Sequence, residues 1–170
     1  MATLGISAAW KERIARIVQR PYLQRLLVGA IVFLVPKRRL GVNLVPLNAK
    51  GQVLLLRHVF HPHVPWGLPG GWLGRGESPA TGALREFHEE TGLTAVLGPV
   101  IHVENGTNPD HIGIAYLGYV EPGPLTLSNE ILTADWFTAD RLPPLLPFAR
   151  QAIDIAVTRH QNHPAEDIQP

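Results

Sequence analysis

Cysteine is absent from the 170 residues. That excludes a disulfide framework and any thiolate metal site, and it fits a reducing compartment. The sequence also lacks a membrane span. The apolar run Leu26–Val35 holds ten residues and as a helix covers about 15 Å, half of a ~30 Å hydrocarbon core. A secretory signal is a poor match, because the charged region before that run is too long and no small-x-small cleavage site follows it. Internal repeats and low-complexity tracts are missing, and the net charge is only +1. With 45% hydrophobic content, the chain has enough apolar material for a substantial core, which points to one domain with an N-terminal extension.

The small net charge hides an asymmetry. Residues 1–39 carry Lys11, Arg13, Arg16, Arg20, Arg25, Lys37, Arg38 and Arg39 against Glu12, eight minus one or +7. The other 131 residues carry 7 basic and 13 acidic groups, or −6. Ser7–Arg20 reads as a basic amphipathic helix with Trp10, Ile14, Ile17 and Val18 on one side. Pro21 interrupts it, and a second, apolar helix runs from Tyr22 to Val35. Burial against the domain or a second subunit is the commoner fate of such a short apolar helix. The basic excess keeps attachment to an anionic membrane surface open beside it.

From Gly41 the pattern becomes extended. Val42–Leu47 and Gln52–His58 are apolar runs joined by Asn48-Ala49-Lys50-Gly51, a hairpin-like connection. Pro46 argues for an edge or a bulge in the first. His58, His61 and His63 are interleaved with Pro62 and Pro65, which prevents the regular spacing of a transition-metal site. A loop at the mouth of the site, its histidines contacting phosphate or base or having no role there, is the better reading. Trp66 and Trp72 flank a glycine-rich stretch and suit either stacking on a base or packing against a helix. Thr94–Glu104 and Ile112–Val120 read as strands covered on both faces, with residues 105–110 as the connection. A loop through Glu130, a short strand Ala134–Phe137, an amphipathic helix Pro147–His160 and a polar tail complete the chain.

The chemistry concentrates in residues 71–93. Ser78-Pro79 starts a helix and Gly92 stops it. Between them Glu86, Glu89 and Glu90 stand at i, i+3 and i+4, within one narrow sector, while Ala80, Ala83, Leu84 and Phe87 take the adjoining sector and suit packing on a sheet. Like charges at that spacing repel, and a hard divalent cation with oxygen ligands relieves the repulsion. Arg85 stands one turn from Glu89, within reach of the carboxylates.

Gly71, five residues, Glu77, seven residues, then Arg85-Glu86-Phe87-His88-Glu89-Glu90-Thr91-Gly92-Leu93 resembles the signature of Nudix hydrolases at every fixed position. The looser family pattern extends from about Gly41 to Pro143-Pro144. The resemblance implies an α/β fold, a mixed β-sheet in an α/β/α sandwich, with residues 1–39 as a helical extension, 40–160 as the catalytic domain and 161–170 as a tail. It implies an enzyme, a pyrophosphohydrolase that attacks a nucleoside diphosphate linked to another moiety by in-line attack of water. One to three Mg²⁺ or Mn²⁺ ions serve as cofactor, held by Glu86, Glu89 and Glu90 with a Gly71 carbonyl, and with Glu77 as a supporting carboxylate. By the same likeness Glu86 and Glu90 are the principal ligands, Glu90 counting among the catalytic residues, Glu89 is a ligand or the general base, and Arg85 orients the carboxylates. Glu130 occupies the place of a later glutamate that is the base in some members, and Glu104 is the weaker candidate. Pro109, 16 residues beyond Leu93, is a hint of ADP-ribose chemistry, and no coenzyme A or NADH motif is present. The expected partner is a small nucleotide derivative rather than nucleic acid, in the cytoplasm, with residues 1–39 contacting a membrane surface or forming a homodimer. Two alternatives stay open: a non-catalytic nucleotide-binding or regulatory module of the same fold, and a protein whose main business is membrane association through residues 1–39.

Overall fold

The computed structural model describes residues 7–35, 38–60, 63–107 and 109–162. His61 and the tail from 163 onward lie outside the described residues. The chain divides into two units, Met1–Lys37 and Arg38–Pro170.

The first unit is two helices, α1 (Ala8–Val18) and α2 (Pro21–Leu34). Pro21 sits at the first turn of α2, where its missing N–H had no partner to lose. Large apolar side chains of both helices are exposed, including Trp10, Leu26, Val28, Ile31, Phe33 and Leu34. No helix among the described residues is long and apolar enough to cross a membrane.

The second unit is built on a seven-stranded mixed sheet. Its strands are β1 (Arg39–Leu47), β2 (Val53–His58), β3 (Trp66–Gly67), β4 (Gly70–Trp72), β5 (Ala95–Thr107), β6 (Asp110–Val120) and β7 (Ile131–Phe137). The main order is β3-β2-β1-β6-β5, with β4 also paired to β1 and β7 to β2. β1 runs parallel to β6 over its whole length, Arg39 opposite His111 through Leu47 opposite Tyr119.

Because neighbouring side chains in a strand point to opposite faces, the apolar runs feed two separate cores. Val45, Leu47, Val53, Leu55, Ala115 and Leu117 pack on one face against Ala149, Ala152, Ile153 and Ala156 of α4 (Pro147–Asn162). Leu44, Leu54 and Leu56 pack on the other against Phe87 of α3 (Pro79–Thr91), with Leu93 and Ile131. Helices on both faces make the expected α/β/α sandwich. Phe87 is fully buried, worth roughly 1.5–3 kcal/mol of apolar transfer, and it fixes α3 on the sheet.

Three local expectations are corrected. Pro46 is in an interior strand, not at an edge or bulge. The Leu44 N–H points away from β6, donating to the Pro69 carbonyl, so position 46, two residues on, directs its missing donor to the same side, where β1 contacts β2 only at Leu47 opposite Val53. The glycine-rich stretch between Trp66 and Trp72 holds two short strands, because the glycines let the chain pair closely with β1 and β2. The connection at 105–110 shrinks to a tight hairpin, with Thr107 opposite Asp110. β6 is buried as expected, but β5 is an edge strand with Val100 and Val103 exposed.

Candidate active site

The site begins with the placement of α3. The Ser78 hydroxyl accepts from the Thr81 N–H at 3.2 Å and caps the first turn. At the other end Gly92 turns left-handed, φ 72°, while the buried Thr91 hydroxyl donates to the Phe87 carbonyl at 2.6 Å and accepts from Leu93 N–H at 3.1 Å. The chain after β6 then folds back on this end. Thr126 N–H donates to Thr91 O at 2.8 Å and Ser128 N–H to Glu90 O at 3.2 Å. Those two bonds carry residues 128–130 to the helix.

The result is an open cleft of about 860 Å³ whose lining includes Gly70, Gly71, Glu86, Glu89, Glu90 and Glu130. Sequence spacing puts three glutamates in one sector of α3, but the fold grades them by burial. Glu89 is largely exposed, its side chain 57% accessible. The Glu86 side chain lies against β4 so closely that a Cβ on Gly71 would collide with its carboxylate. Glu90 continues the buried stripe of Ala83 and Phe87 and is 9% accessible. Its Oε2 accepts one hydrogen bond, from Gly70 N–H at 2.9 Å. Burial, with the Glu86, Glu130 and Glu89 charges added, pushes its pKa up to about 8 against the opposing pull of the Gly70 N–H.

Arg85 bonds three carboxylates beside this cleft, Glu77, Glu86 and Glu89. Its Nε and Nη2 donate to the two Glu77 oxygens at 2.7 and 3.0 Å. Nη1 reaches Glu89 at 2.9 Å and Glu86 at 3.0 Å. Held mainly by that fork, and also by Gly74 N–H at 2.8 Å, Glu77 has its pKa lowered to about 2. The same partners, Glu77 foremost, raise the guanidinium's own pKa. Glu77 is thus turned to Arg85 rather than into the cleft, and it steadies the group that steadies Glu86 and Glu89.

Among the described residues no three carboxylates or imidazoles already converge as a closed metal cluster. The donor chemistry still fits a hard divalent cation. A buried carboxylate whose neighbours are three more carboxylates lacks positive charge, and oxygen donors around a glycine cradle are what magnesium and manganese take. Glu86, Glu89 and Glu90, with Gly71 against the Glu86 carboxylate, are the residues that would hold it.

The remaining expected residues divide. Glu130 is brought to the cleft, whereas Glu104 is on β5, bonded to His102 at 3.2 Å, and is not among the cleft residues. Trp66 packs edge-on against Phe137 at 5.1 Å and joins a core, which settles its role as packing. Trp72 lines the cleft, half-exposed, with His111 edge-on at 5.2 Å and the Arg39 guanidinium 5.9 Å from its ring centre. Beyond it a second hollow is lined by Arg38, Arg39, Gly74 and Glu77. Of the histidines, His58 lines the cleft and His63 does not. Sequence reasoning passed over Asn43, Phe60, His111, Ser128 and Asn129, all of which line the cleft. Only His111 left a signal, since the short hairpin holds it beside Pro109, whose carbonyl meets its Nδ1 at 2.6 Å.

Comparison with known proteins agrees with this geometry. A family model described as the NUDIX domain matches residues 37–158. An RNA pyrophosphohydrolase of Rhodospirillum rubrum is 43% identical over 59 residues, 35% of each chain, so the match spans about a third of that relative. Another from Agrobacterium fabrum is 29% identical over 154 residues, covering 71% of this chain and 89% of that one. The crystal structure of a MutT protein from Methanosarcina mazei superposes with a TM-score of 0.60 at 26% identity, over 75% of this chain and 98% of the other.

Proposed function

Since the chain belongs to the Nudix hydrolases, we propose that it is a metal-dependent enzyme cleaving the pyrophosphate bond of a nucleoside diphosphate linked to another moiety. The observation that carries this reading is the gathering of Glu86, Glu89, Glu90 and Glu130 on one cleft, where the Arg85 guanidinium bonds Glu86 and Glu89 and leaves the buried Glu90 without a bonded arginine or lysine among the described residues. An anionic substrate enters such a cleft only with cations to offset the repulsion. Bound Mg²⁺ or Mn²⁺ would supply that charge, polarise phosphorus and lower the pKa of a water.

The protein's own residues do the rest. Glu86 and Glu90 would hold the metal as principal ligands. Glu90 would bind as the carboxylate, because a cation against it offsets the burial and the neighbouring charges that raise its pKa. Glu89 and Glu130 face the same space from two elements and are the candidates for accepting the proton of the attacking water. Arg85, clamped by Glu77, keeps Glu86 and Glu89 from drifting apart. Trp72, with His111 at its edge and Arg39 near its ring, offers a flat surface for a base, and Phe60 and Pro109 line the same cleft. We assign the reaction to the cytoplasm, in keeping with a cysteine-free chain and a nucleotide substrate.

The test is a hydrolysis panel with product identification. Nucleotide sugars, ADP-ribose, nucleoside triphosphates and, because two relatives are RNA pyrophosphohydrolases, a 5′-triphosphorylated oligonucleotide are each incubated with Mg²⁺ or Mn²⁺. Metal-dependent phosphate-anhydride cleavage, lost in Glu90→Gln, is the expected result. Tight nucleotide binding with no turnover on any substrate would instead mark a non-catalytic module.

A further inference from the structure

We propose that the two N-terminal helices form an anchor that embeds in one leaflet of an anionic membrane and holds the enzyme there. The first observation is the distribution of exposed apolar groups on α2. Leu26, Val28, Ile31, Phe33 and Leu34 are 66, 60, 58, 89 and 75% accessible, and a Cβ added to Gly29 would meet nothing within 4 Å. At about 100° per residue these positions go round the helix instead of forming one stripe. A protein partner covers one face of a helix and leaves the other in water. Hydrocarbon covers all of it. The 14 residues of α2 amount to about 21 Å, too short to span a ~30 Å core, so the helix is suited to embedding in the interface rather than crossing.

The second observation is charge. In α1, Trp10, Ile17 and Val18 are exposed on one sector, and Arg13, at the edge of that sector, and Arg16 and Arg20 are exposed around it. Among the described residues none of these three arginines, nor Arg25, makes an ion pair with a carboxylate, although Arg20 donates to the Tyr22 hydroxyl at 3.2 Å. Arginine stems beside an apolar face, with heads that no carboxylate neutralises among the described residues, suit insertion to the level of lipid phosphates. Stacking this face on its counterpart in a second copy would bring the +7 of residues 1–39 against another +7, whereas an anionic membrane supplies the opposite sign.

The full chain is tested by flotation with vesicles of phosphatidylcholine, with and without about one-third phosphatidylglycerol, at about 0.1 M and about 0.5 M salt. Co-flotation with the anionic vesicles is expected, at least tenfold weaker with neutral vesicles or at the higher salt. Changing Arg13, Arg16 and Arg20 together to Gln lowers partitioning on the order of 100-fold, and Phe33→Ser with Leu34→Ser abolishes it. Both variants retain wild-type hydrolysis of a soluble substrate, which shows that the catalytic unit is folded. Equal binding to neutral and anionic vesicles overturns the proposal, as does flotation with neither. So does a wild-type dimer that fails to float and becomes a monomer in the Phe33→Ser/Leu34→Ser variant.

Discussion

Replacing Glu90 by Gln is expected to make the metal-free protein more stable while destroying its activity. At about pH 7 a glutamate in the unfolded chain, with its ordinary pKa of 4.5, is ionised, whereas the folded one, raised to about 8, holds a proton. Taking up that proton on folding costs 2.303RT times the gap between pH and 4.5, about 3 kcal/mol. Glutamine avoids the cost and still offers an oxygen to the Gly70 N–H. The sign follows from proton counts. Between pH 4.5 and about 8 Glu90 binds more protons in the native state than in the unfolded one, so its contribution to stability without metal is most favourable below 4.5 and falls as pH rises from there through the folded pKa. Glu90→Gln lacks that decline, and the gap between the two proteins widens until about pH 8. For a chain of this length about 3 kcal/mol corresponds to a Tm difference on the order of 5–10 °C. The assay is thermal unfolding in chelator from pH 5 to 9, repeated with Mg²⁺ or Mn²⁺. Metal is expected to raise the wild-type Tm and to have little effect on the variant, since mass action stabilises only the state that binds. Turnover is expected to fall at least 100-fold. A variant less stable than wild type at about pH 8 in chelator, or equal stabilisation of both proteins by metal, would refute the electrostatic account of the site.

Arg85→Ala frees Glu77, whose pKa now sits at about 2. A depressed carboxylate contributes stability that is present above its unfolded pKa and lost as pH falls through the folded one, so the variant should lose its acid resistance between pH 4.5 and about 2, read by circular dichroism, and Arg85→Lys should restore little because lysine cannot fork. Gly92→Ala should cost about 1–2 kcal/mol in urea unfolding, from the left-handed backbone and from Thr126, 3.0 Å from the added Cβ. Trp72→Ala should raise KM about tenfold with kcat little changed, whereas Phe87→Ala should cost about 3–5 kcal/mol of stability because it empties the α3 side of the core. Glu130→Gln should slow turnover at least tenfold while Glu104→Gln leaves it unchanged, as expected if only the former acts on the attacking water.

Spacing along the chain was enough to locate the glutamate helix, its caps and the apolar runs of most strands, because helix and strand periods are local properties written directly in residue order. It also specified that three carboxylates share a sector of α3. Residue order left undecided which of them is buried, since that depends on Phe87 seating the helix on Leu44, Leu54 and Leu56 far away in sequence. The turning of Glu77 to Arg85 and the gathering of Asn43, Phe60 and His111 around the cleft were equally out of reach. Those residues come from loops and strands that meet only when β1 pairs with β4 and β6 and the chain after β6 bonds to the end of α3. The perturbed acid at Glu90 was likewise invisible to spacing, because desolvation and the sum of neighbouring charges exist only once tertiary contacts remove the surrounding water.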